Sequence, residues 1–177
     1  MPNLFQLDFY NHYPSSYIDG NVYTRWAVYA NTPLDPTIAA ALYPRLRTAL
    51  EGLSERDAVN KLLQFVQTAF VYEYDDKVWG GDRAFFAEET LHYPYADCED
   101  RSILFARLVR DLVGLDVVLI YYPGHLATAV GFTQEVNGDY LTYRNKKYTV
   151  CDPTYIGAPV GRTMPGMNNQ QAQVIVL

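Results

Sequence analysis

The chain has 177 residues, 49% of them hydrophobic and 19% charged, a balance that excludes a disordered tail or a low-complexity linker. Its net charge of −6 argues against a phosphate-backbone binder, which needs basic patches, so no nucleic-acid partner is expected. The longest strong apolar run, residues 117–122, is far short of a membrane span, no signal peptide is expected from its first residues, and two cysteines cannot build a disulfide scaffold. A soluble, acidic domain over residues 1–177 is the expectation, long enough to bury roughly 70% of the surface its unfolded chain exposes. Aromatic residues reach 15%, with sixteen tyrosines. Tyrosine can line a cleft for peptides or sugars, and it is equally at home half-buried in strands.

In chain order, residues 1–34 form a Tyr-rich N-terminal extension in which 22–29 reads as a strand. Asp35-Pro36 is a cap followed by proline at the first helical position, and Pro44 predicts a break into a second short helix ending at Gly52. Ser54 with Asp57 resembles a capping box, opening a helix that buries Ala58, Val59, Leu62, Leu63, Val66 and Phe70 at helical spacing. Residues 72–97 lose that period and read as a long loop with a helical turn or two near 85–91. Asp97 then caps a helix whose buried stripe is Leu104, Phe105, Leu108, Val109 and Leu112, stopped by Gly114. Four strands follow at 117–122, 125–133, 140–143 and 147–152, the last ended by Pro153. Helices first and an antiparallel meander second make an α+β fold.

Three residues carry chemistry. Cys98 opens its helix, where the macrodipole favours a thiolate and the Cys98 N–H is free to bind an oxyanion. His125 opens a strand and shares a face with Ala127 and Ala129, small residues that would let the helix end approach. Asp152 ends another strand. Antiparallel pairing of His125 against Asp152 would set Ala127 opposite Val150 and Ala129 opposite Tyr148, with 140–143 outside the pair. The acid would orient the imidazole, whose other nitrogen takes the thiol proton, with roughly 3–4 Å between sulfur and ring. Cys151 would point to the opposite face, which disfavours a Cys98–Cys151 disulfide. His12 and His92 read as surface or loop residues; no metal site and no cofactor is expected.

These residues resemble the transglutaminase-like superfamily of papain-type cysteine enzymes. The likeness rests on Ala96-Asp97-Cys98-Glu99-Asp100-Arg101-Ser102, Gly124-His125 and Cys151-Asp152-Pro153-Thr154, and it spans a core of about residues 55–156. Two positions depart from the family pattern: Ala96 stands where a glycine is usual, and Ala127 where an aromatic is usual. The resemblance implies a papain/transglutaminase-like α+β fold, N-terminal helices against an antiparallel sheet, with Cys98, His125 and Asp152 as catalytic residues. It also makes Trp79, upstream of the cysteine, the oxyanion-hole candidate.

The function expected is a thiol-dependent amide-bond hydrolase working through a thioester acyl-enzyme on a peptide, protein or glycopeptide. The alternatives are a catalytically silent module of the same fold that binds peptide or glycan, and a structural domain of a larger envelope or surface protein. An extracytoplasmic setting and attachment to a larger polypeptide are the favoured context.

Overall fold

The helix that carries Cys98 is the centre around which the remaining elements pack. In the computed structural model, which describes residues 2, 4–13, 21 and 23–177, this helix is α7 (Cys98–Leu112). Before it come α1 (Leu4–Asn11), α2 (Thr24–Asn31), α3 (Pro36–Leu50), α4 (Glu55–Ala69), α5 (Asp75–Val78) and α6 (Ala87–Thr90). After it come β1 (Asp116–Tyr122), β2 (His125–Gly131), β3 (Tyr140–Tyr143), β4 (Lys146–Cys151) and β5 (Gln173–Val176). The sheet is antiparallel in the order β3-β4-β2-β1-β5, and the fold is α+β.

Local sequence explains most of these elements. Ser54 accepts a hydrogen bond from the Asp57 N–H and starts α4, whose Ala58, Val59, Leu62, Leu63 and Val66 are buried; Phe70, just past its end, is half-buried. Asp97 caps α7 by accepting from the N–H groups of Glu99 and Asp100, and the Asp100 carboxylate accepts the Asp97 N–H in return. Leu104, Phe105, Leu108 and Val109 are fully enclosed, each contributing about 1.5–3 kcal/mol by leaving water. Arg144 and Asn145 both take positive φ, the two-residue turn that β3 and β4 need to form a hairpin.

Three expectations are corrected. Residues 24–31 are helix, not strand (Val22 lies outside the described residues): Trp26, Tyr29 and Ala30 are buried at spacings of three and four. Packing on α7 outweighs the strand preference of the aromatics, and the guanidinium groups of Arg107 and Arg110 bind the terminal Ala30 carbonyl. Pro44 does not divide α3, which runs through it as one helix. The strand β5, paired with β1, had no counterpart in the expected elements.

One face of the sheet, with Val117, Leu119, Leu126, Val130 and Cys151, packs against the helices, and Trp26, Tyr29, Ala30 and Leu34 belong to that same core. The other face, with Val118, Ile120, Ala127, Ala129, Tyr148, Val150 and Val174 of β5, packs against Met167 and Ala172. Among the described residues no helix is long and apolar enough to cross a membrane.

Candidate active site

Strand β2 pairs with β4 so that Ala129 faces Val150 and Thr128 faces Cys151. This register is two residues away from the expected one. A two-residue slip preserves the alternation, so His125 and Asp152 still share a face, now diagonally. His125 Nε2 lies 2.9 Å from Asp152 Oδ2, and both side chains are buried. A carboxylate only accepts, so Nε2 carries the proton and Nδ1 keeps its lone pair. Strand β3 lies outside the pair, as expected.

Asp152 is held on both sides. Its Oδ1 accepts from the N–H groups of Thr154 at 2.8 Å and Tyr155 at 3.2 Å, which frees Oδ2 for the imidazole. Gln67, buried on α4, donates to the carbonyls of Asp152 and Ala158 at 3.0 Å and accepts the Gly157 N–H at 3.1 Å. Sequence reasoning missed Gln67. Its signal was a polar residue on the apolar stripe, four residues after Leu63. Tyr122, also missed, stacks on His125 with the ring planes 15° apart.

The helix reaches this pair past the end of β2, not across the Ala127 and Ala129 face. Ser102 donates to the Leu126 carbonyl at 3.1 Å, tying α7 to the opposite face of the strand. Cys98, one turn earlier and 8% exposed, then opens with Gly124, His125 and Leu126 onto a cavity of about 380 Å³. Cys151 is on the helix side of the sheet, in the core that also holds Cys98, and both are free thiols. No disulfide forms, although the two cysteines are not on opposite faces.

The sulfur departs from expectation. Its hydrogen bond goes to Glu99 Oε2 at 2.9 Å instead of to His125. Burial, then the neighbouring charges of Glu99 and Asp97, push the Cys98 thiol well above its ordinary range, and the Leu126 N–H opposes them only in part. The helix-start position was expected to favour the thiolate; burial and two flanking acids outweigh the dipole. Burial likewise raises the Asp97 carboxyl to about 8, with Glu99 and Asp75 adding to it, and the Asp75 carboxyl to about 6. Asp97, Cys98 and Glu99 offer donor atoms within 4.8 Å of one another, as a cation site would. Those atoms are already engaged in the helix cap and in the thiol–carboxylate bond.

Trp79 is not part of this cavity. It packs on Phe85 and Tyr93 beneath the Arg83 guanidinium, 4.8 Å from its ring, and lines a separate space of about 360 Å³. Trp26 stands in the Cys98 cavity in its place, 6% exposed. Below the floor, the fully buried Arg101 donates to the carbonyls of Ala96, Gln67 and Phe70, joining the end of α4 to the turn before Cys98.

No protein-family model and no curated protein matches the chain. Among solved structures it is similar to one described as a crystal structure of a TGase, at 18% identity and a TM-score of 0.41 over 84% of this chain. The chain spans 42% of the length of that structure.

Proposed function

We propose that the chain is a thiol-dependent amide-bond hydrolase of transglutaminase-like type, with Cys98 as nucleophile, His125 as base and acid, and Asp152 as the residue that orients the imidazole. The observation carrying it is the buried His125–Asp152 pair, Nε2 to Oδ2 at 2.9 Å, opening onto the cavity that Cys98 lines. In this scheme the thiol proton moves to His125 Nδ1 and the sulfur bonds to the carbonyl carbon. The oxyanion meets the Cys98 N–H, which the Asp97 cap leaves unused. The C–N bond then breaks, the amine departs with the proton from His125, and water hydrolyses the thioester to restore the thiol. A peptide, protein or glycopeptide is the substrate proposed, in an extracytoplasmic setting.

A second reading is a silent module that binds peptide or glycan. The observation favouring it is the Glu99 hydrogen bond, which holds the thiol protonated away from the imidazole. A fluorogenic thiol probe on the purified chain decides. Labelling of Cys98 near pH 7 that is lost in Cys98→Ser and slowed in His125→Ala supports the hydrolase; equal rates in wild type and His125→Ala would leave the binding module.

A further inference from the structure

We propose that the Cys98 cavity recognises a substrate bearing a cationic group beside the amide presented to the thiol. This rests on the hydrolase reading above and names its substrate class. The cavity has one carboxylate wall, Asp75, Asp76, Asp82, Asp97 and Glu99, and a single fixed cation, Arg25. Arg25 is engaged by Asp82 at 2.5 Å, Asp75 by the Arg83 N–H at 2.6 Å, and Asp97 by the helix cap. Glu99 holds the thiol and hydrogen-bonds the Asp97 carboxyl, and Asp76 stands exposed with no ion-pair partner among the described residues.

The same cavity is also lined by Trp26, Tyr72, Tyr74 and Tyr121, rings that suit the stem and charge of an organic cation. The buried Nε1–H of Trp26 has no hydrogen-bond partner among the described residues, and a buried indole N–H requires one. A neighbouring ammonium or guanidinium group on the substrate would answer the carboxylates. A neutral or anionic substrate would leave Asp76 unanswered. Pairing with Glu99 would also remove the acceptor that now holds the thiol proton, leaving His125, which lines the same cavity, as the proposed base.

The test uses the full chain and three matched methanethiosulfonates, carrying a trimethylammonium, a methyl or a sulfonate group. Each rate at Cys98 is divided by the rate with 2-mercaptoethanol in the same buffer. The cationic reagent should exceed the neutral one by about tenfold or more, and the anionic one should be slowest. That spread should collapse in Glu99→Gln and narrow in Asp76→Asn, two substitutions at solvent-accessible positions that leave the core untouched. Equal normalised rates in the wild type, or a spread that survives both substitutions, overturn the proposal. His125→Ala separates the two readings. If it slows all three reagents but no charge order exists, only the cation proposal fails; if it leaves the neutral rate unchanged, the hydrolase reading fails.

Discussion

At the scale of single residues, the structure has the thiol proton on Glu99, whereas the proposed reaction needs it on the imidazole. Removing that charge lowers the cost of ionising the sulfur. Glu99→Gln should therefore speed iodoacetamide alkylation of Cys98 at pH 7, by about tenfold for each unit the thiol pKa falls, and move the pH–rate midpoint downward. His125→Ala should act the other way and slow alkylation near pH 7 by about tenfold or more, because the proton acceptor is gone. Cys151, with no exposed surface, should stay unlabelled on that timescale in both variants, as peptide mass mapping would show. His125 and Asp152 were legible as partners because strand alternation fixes which residues share a face. The Glu99 bond was not, since adjacent acids at a helix start read first as favourable to the dipole.

At the scale of elements, the helices with local caps, α4 and α7, were legible because their start signals and apolar spacing lie within a few residues. Elements decided by distant contacts were not. α2 took its helical state from α7, the β2–β4 register was set two residues away from the expected pairing, and Trp79 was drawn under Arg83 instead of over Cys98. Gln67 belongs to the same class, since its partners lie about ninety residues on in the chain. Gln67→Leu removes two donors and an acceptor from the segment that anchors Asp152. The expected cost is about 2–3 kcal/mol, or a melting temperature lower by about 4–12 °C, read by circular dichroism. Loss of labelling at Cys98 should be smaller than in His125→Ala, because the imidazole remains.

At the scale of the whole molecule, the buried acids set how stability follows pH. Asp97 titrates at about 8 and Asp75 at about 6 in the folded chain, against ~3.9 for an unfolded aspartate. Between those values the folded state holds more protons than the unfolded one. The contribution is therefore fully present below about pH 4 and is lost as pH rises through 6 and then 8. Asp97→Asn keeps a capping side chain and removes the titration. The gap between melting temperatures at pH 5 and pH 8.5 should narrow in this variant, by about 2–4 °C for each kcal/mol removed from the titration. A gap as wide as in the wild type would show that Asp97 ionises without penalty in the folded chain.

Most of the cavity wall and the proposed reacting groups come from different stretches of the chain; Asp97 and Glu99, which flank Cys98, are the exception. Arg25, Trp26, Tyr72, Tyr74, Asp75, Asp76 and Asp82 precede α7, whereas Cys98, His125 and Asp152 all lie on α7, the strands or the residue that follows them. In the proposed scheme, Glu99 apart, selectivity and reactivity are thus separable in the gene. A library confined to codons 72–82 would alter what enters the cavity while leaving the sulfur, imidazole and carboxylate on unaltered supports, making this loop the place to graft a new preference.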